Sequence, residues 1–261
     1  MLDKDVKNFL SRNSKTGRSV NVYSCQPTQI CRGFCYRFKR TKKQALAIER
    51  RCGFNPGANT GPITWKTQVA AYKRNEALIK RMAAEGRLEE LAVRLVQRMH
   101  NKEERLRWCG TGDLFPELCE LIAMYAAMGQ RQSFGFSRRP EMLEYLTDLC
   151  KEMGVPIKRW PYFIGSVDES TPDATVQELA TWTNELNGYP ALALATWHTG
   201  DDLQDFLAKK RWSRHVRVIF GIHSSQKKTR TFHPRACPAT EGVKITCVQC
   251  RRCYGSHEVN R

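Results

Sequence analysis

Long apolar runs are missing from this chain. No stretch approaches the about 20 apolar residues that a membrane-spanning helix needs, which argues against an integral membrane protein. The opening segment, "MLDKDVKNFLSRNSKTGRS", also lacks the apolar core of a secretory signal, and its acids come early. The expected location is therefore cytoplasmic, with no membrane partner. Acidic residues are scarce beside basic ones: 26 Asp and Glu against 43 Lys and Arg, a formal net charge of +17. That imbalance argues for a polyanionic partner, a nucleic acid or a nucleotide, because clustered cations gain by releasing phosphate counterions. A basic surface with no dedicated partner is the alternative. Low-complexity tracts and sequence-identical repeats are absent too, and 41% hydrophobic content excludes disorder as the default state.

Cysteine is plentiful. In a cytoplasmic setting its eleven copies point to metal or redox chemistry rather than structural disulfides. Two groups stand out. Cys25, Cys31 and Cys35 lie in "CQPTQICRGFCY", a loop that follows a short alternating strand, "SVNVYS". Thiolates bind zinc or iron–sulfur clusters. Three protein ligands leave one metal position open to another molecule, as a catalytic site requires. Free thiols without a metal are the alternative. The second group, Cys237, Cys247, Cys250 and Cys253, sits in the basic tail with the spacing C-x9-C-x2-C-x2-C. Three cysteines at spacing two suit a compact iron–sulfur cluster better than a single zinc, although a zinc knuckle also uses C-x2-C. Cys119 and Cys150 fall in apolar helical patterns and read as core, and Cys109 as buried strand filler.

Between the two groups, strands and helices alternate. "RLRWCGTG", "QSFGFS", "YFIGSVD", "ALALATW" and "VRVIFGIHS" follow "SVNVYS" as strands, six in all, with helical patterns between them. Asp173 reads as the N-cap of one of these helices. Several strands are too apolar to have a wet face, which suits a parallel sheet covered by helices and right-handed βαβ units. Six such units form an open barrel or an open sheet. Their carboxyl ends are where α/β proteins place their sites. Gly110, Thr111, Gly112 and Asp113 end the second strand. The glycines admit a ligand close to the backbone, and Asp113 either binds an amino group or caps the next helix. Ser137, Arg138, Asp168 and His198 lie at later strand ends and are candidates to line a pocket.

In order and spacing these pieces resemble the radical S-adenosylmethionine superfamily. The resemblance implies a partial (βα)6 barrel over residues 19–223, after a basic segment 1–18 and before a cysteine-rich extension 224–261. It implies that Cys25, Cys31 and Cys35 hold a [4Fe–4S] cluster, with Phe34 or Tyr36 as the flanking aromatic. Gly110 to Asp113 would meet the amino group of S-adenosylmethionine, and Cys237, Cys247, Cys250 and Cys253 would hold a second cluster. It also implies an electron donor as partner. More narrowly, "CRGFCY", "TGDLF", "FSRRP" and "CPAT…CVQCRRC" resemble a phage family known as gene product eighty-eight-like, whose reaction is unassigned; the host cytoplasm is then the expected location. The superfamily's common loop is C-x3-C-x2-C, whereas this one is C-x5-C-x3-C. A metal-stabilised nucleic-acid-binding protein, with zinc in place of the clusters, is the alternative.

Overall fold

The computed structural model describes residues 9–11, 20–23, 62–99, 105–109, 112–129, 133–196, 198–221, 231–238, 241, 243, 250 and 253. In chain order the elements are β1 (Leu10–Ser11), β2 (Val20–Tyr23), α1 (Pro62–Ala84), α2 (Leu88–Arg98), β3 (Arg105–Trp108), α3 (Pro116–Met128), β4 (Ser133–Ser137) and α4 (Pro140–Glu152). They continue with β5 (Tyr162–Asp168), α5 (Asp173–Asn187), β6 (Leu192–Thr196), α6 (Gly200–Lys209) and β7 (Val216–Gly221). The six expected strands appear as β2 to β7. The two-residue β1, which no pattern marks, pairs antiparallel with β2.

The strands lie in the sheet in chain order, and five parallel pairings join β2 to β7. A helix follows each of β3, β4, β5 and β6, as parallel neighbours require. The outer face, under the helices, holds the main core. Leu106, Trp108, Phe163, Val167, Leu192, Leu194 and Ile219 pack there against Leu121, Ile122, Leu143, Leu146 and Leu179. Cys119 and Cys150 are buried in the same core, and burial pushes the Cys150 thiol up to about 12. Asp173 opens α5 as its first residue, with Pro172 at the cap and no side-chain cap bond. The expected Asp173 cap is therefore shifted by one, because proline presets the entry to the helix. Trp182 packs against the core.

The inner face carries a smaller cluster: Phe134, Tyr162, Ile164, Ala191, Ala193 and Val218. Phe136 of β4 and Phe220 of β7 approach to 6.3 Å between ring centroids, although β5 and β6 separate their strands. In a flat sheet those strands would stand about 14 Å apart. The sheet therefore curls around its inner face. A register shift between Leu192 and Ala193 pairs them with Val216 and Val218, so Arg217 is the extra residue of a bulge. Its guanidinium lies 4.2 Å over the Tyr189 ring, and the Tyr189 hydroxyl donates to that of Tyr162 at 3.1 Å.

The tail segment docks on the free edge of β7. Ile219 N–H donates to Arg235 O, Cys237 N–H donates to Ile219 O, and Ile219 bridges Ala236 in parallel. The Arg235 guanidinium donates to Ser213 O and Val216 O. An otherwise open strand edge is thereby partly covered. Among the described residues no helix is long and apolar enough to cross a membrane.

Gly135 sits at the centre of β4, where an added Cβ would lie 2.5 Å from Cε1 of the fully buried Phe163 ring. That ring has no space to retreat. We expect Gly135→Ala to cost about 1–3 kcal/mol in urea unfolding; an unchanged midpoint would contradict the packing described.

Candidate functional site

Because β2 to β7 run parallel, their carboxyl ends share one edge of the sheet. Along that edge runs a chain of polar side chains. The chain starts after β3. Gly112 adopts φ 85, a left-handed conformation that glycine alone takes without strain, and it turns Asp113 back toward β4. Asp113 is 2% exposed. Its Oδ1 accepts from the Ser137 hydroxyl at 2.6 Å and from Leu114 N–H at 2.7 Å, and its Oδ2 accepts from Arg138 N–H at 3.0 Å. Ser137 Oγ accepts in turn from Arg139 N–H at 3.1 Å, and the Arg139 guanidinium donates to Leu114 O at 3.0 Å. Asp113 therefore does not cap α3, which starts three residues later behind Phe115; it stitches the end of β3 to the end of β4. Burial pushes its carboxyl up from the usual range, and the Ser137, Arg138 and Leu114 donors oppose that shift.

Arg138 carries the chain to β5. Its Nη1 donates to Asp168 Oδ2 at 3.3 Å, in a pair with side chains 21% and 1% exposed. Asp168 Oδ1 accepts from the Ser170 N–H at 2.8 Å and hydroxyl at 2.9 Å. Burial also pushes the Asp168 carboxyl up, against the pull of the Arg138 charge. From β5 to β6 the link is Glu169, whose Oε1 accepts from the Thr196 hydroxyl at 2.5 Å. Thr196 Oγ1 accepts from His198 N–H at 3.0 Å. The His198 ring stacks on Phe206 at 4.8 Å, and its Nε2 stands 3.9 Å from Glu169 Oε1.

Asp113, Ser137, Arg138 and Asp168, four of the candidates from the strand ends, thus form one connected network, and His198 joins the same edge through Thr196 and Glu169. Sequence reasoning missed Glu169 and Thr196. Their signal was a second acid in "VDES" and a hydroxyl closing "ALALAT". Gly110 and Thr111 lie outside the described residues, as do Cys25, Cys31, Cys35 and Cys247. Cys25 stands two residues beyond Tyr23, the last residue of β2. The last residue of β2, Tyr23, therefore lies at the carboxyl edge that carries the polar chain, and the cysteine segment follows it in sequence.

Inside the curl, the inner face has two halves. Phe134, Tyr162, Ile164, Ala193 and Val218 are buried. Nearer the carboxyl edge, Arg107, Phe136, Ser166, Ala195 and Phe220 are half-buried. The Arg107 guanidinium lies 5.0 Å over the Phe136 ring. Cys237 and Cys253 pack against the apolar cluster, and Cys253 is close enough to Tyr162 to raise its hydroxyl further, after burial and Tyr189. Cys237, Cys250 and Cys253 are half-buried. Among the described residues, no three His, Cys, Asp or Glu side chains gather as metal ligands. No family model, curated protein or solved structure matches the chain.

Asp113→Asn would turn an amide donor onto a backbone N–H, whichever way the amide faces, because both carboxylate oxygens accept from the chain. We expect a loss of about 1–3 kcal/mol in urea unfolding, whereas a neutral substitution would show that these bonds hold nothing in place. For Asp168, the native carboxyl titrates above its ordinary value of 3.8. In that window the folded protein keeps a proton that the unfolded chain has released, so the contribution of this group to stability is lost as pH rises. We expect the stability of the wild type, measured relative to Asp168→Asn, to fall as pH rises from about 4. A difference that stays flat or grows would show that the Arg138 charge outweighs burial.

Proposed function

We propose that this chain is an iron–sulfur, S-adenosylmethionine-dependent radical enzyme on a partial (βα)6 barrel, acting on a nucleotide or nucleic-acid substrate in the cytoplasm. The observation that carries the reading is positional. Three cysteines follow in sequence the first parallel strand of a curled sheet laid out in chain order, and that strand ends at the edge where a connected polar network crosses the later strand ends.

The donor set suits the cofactor. Thiolates are the usual ligands of an iron–sulfur cluster, and three of them leave one iron for an exogenous ligand. When bound, the cluster and S-adenosylmethionine supply one-electron chemistry that removes a hydrogen atom from a substrate, given an external electron donor. The chain supplies the setting. Asp113 and Ser137 fix the loop that contains Gly112, so that a ligand meeting it finds a set backbone. Asp168 holds the partly exposed Arg138 guanidinium at the strand ends, where it offers positive charge to a carboxylate or phosphate. The buried half of the inner face keeps water from one end of the enclosure. His198, beside Glu169, is placed to accept or donate a proton at the β6 end. Cys237, Cys247, Cys250 and Cys253 are the thiolates for a second cluster in the tail.

The test is anaerobic iron and sulfide loading followed by assay for 5′-deoxyadenosine. Bound iron and sulfide, lowered by one cluster's share in Cys31→Ala, with S-adenosylmethionine cleaved to 5′-deoxyadenosine by the wild type, is the expected result. A loaded cluster that never binds or cleaves S-adenosylmethionine would overturn the enzyme. Zinc without iron or sulfide would mark a metal-stabilised nucleic-acid-binding protein instead.

A further inference from the structure

We infer that Arg107, Phe136 and Phe220 form a stacking platform for one nucleotide unit, with the base against the rings and the phosphate toward the guanidinium. The inference takes its substrate class from the proposal above, but it concerns binding alone and needs neither cluster nor S-adenosylmethionine.

The platform follows from the pattern of the strands. In parallel register, Arg107 pairs with Phe134, Phe136 with Ile164, Ser166 with Ala193 and Ala195 with Phe220, so these side chains share the inner face. Large rings stand on β4 and β7, level with Ile164 of β5 and Ala195 of β6 respectively, and Ser166 follows Ile164 on the inner face of β5. Curling brings the two rings into an edge contact at 6.3 Å with their planes 66° apart. Phe136, Phe220, Ser166 and Ala195 are half-buried, whereas Phe134, Tyr162, Ile164, Ala193 and Val218 below them are buried.

Two cations border the rings. Arg107 lies 5.0 Å over Phe136, and Arg138 stands at the end of the same strand. A guanidinium stacked on a ring keeps its N–H donors in its own plane, directed past the ring edge, where they meet phosphate oxygens. The chemistry required of a ligand is then a flat apolar ring joined to an anion. A nucleotide has both, and a net charge of +17 draws a polyanionic strand to the molecule. The carboxylates at this edge are tied to the chain's own donors: Asp113 and Asp168 fix Arg138, and Glu169 accepts from the Thr196 hydroxyl.

The experiment is equilibrium binding of AMP, CMP and a short single-stranded oligonucleotide to the full chain at fixed salt. Ribose 5-phosphate and duplex DNA serve as competitors. We expect the mononucleotides to bind, Phe136→Leu and Phe220→Leu each to weaken them about tenfold, and Arg107→Gln to weaken them further while flattening the salt dependence. Phe136→Tyr keeps the ring face and should keep binding, which separates stacking from folding. Lys209→Ala removes an exposed charge on α6 and should leave mononucleotide affinity unchanged. Equal affinity in the leucine variants, ribose 5-phosphate competing as well as AMP, duplex preferred to single strand, or no mononucleotide binding would each overturn the platform. Nucleotide binding without 5′-deoxyadenosine formation would leave the platform standing and remove the radical chemistry, so the two failures are distinguishable.

Discussion

Parallel pairing in chain order is the constraint from which the rest of the architecture follows. When each strand lies beside its predecessor and points the same way, every connection must cross back over one face, and every strand end arrives at one edge. The helices that make those crossings bury the outer face, and the linked polar side chains gather at the carboxyl edge. Asp113, Ser137, Arg138, Asp168, Glu169, Thr196 and His198 come from four different strand ends, yet they form a connected line because the pairing brings those ends together. The line has a structural role of its own. Each carboxylate in it is tied to donors from a neighbouring connection, which sets the geometry of loops that would otherwise be free to shift.

The curl of the sheet adds a second constraint. Its inner face is too narrow to hold large side chains on every strand, and the sequence answers with rings on β4 and β7 and small residues between them. Below, the same face is filled by Phe134, Tyr162, Ile164 and Val218, with Tyr189 and Cys253 against them. One half of the inner face is therefore apolar and buried, and the other carries Arg107, Phe136 and Phe220, each half-buried. The tail supports this arrangement from the side, by pairing with the free edge of β7 through Ala236 and Cys237.

Much of the fold was legible in the sequence, for a physical reason. Strands buried on both faces must be apolar throughout, so "ALALAT" and "VRVIF" announce themselves, and the helices between them are amphipathic or capped by proline and glycine. What was not legible depends on pairing rather than pattern. The two residues of β1, the bulge at Arg217 and the curl that brings Phe136 to Phe220 are set by register across strands. The same division holds at the candidate site. Polar residues at the ends of apolar runs marked Ser137, Arg138 and Asp168 correctly as neighbours of one edge. Whether Asp113 would cap a helix or cross to β4 could not be read locally, because both roles need only a carboxylate after a turn. The cysteine groups were legible by residue type and spacing, but convergence in space is a separate property, and among the described residues the tail thiols do not show it.

The proposed function requires the cysteine segment after β2 to hold an iron with one open position. Electron paramagnetic resonance of the reduced, iron-loaded protein tests it most directly. Spectra recorded with and without S-adenosylmethionine should differ in their g-values, as direct ligation of one iron requires, and Cys35→Ala should abolish the signal that shifts. Identical spectra in the presence and absence of S-adenosylmethionine would contradict the account.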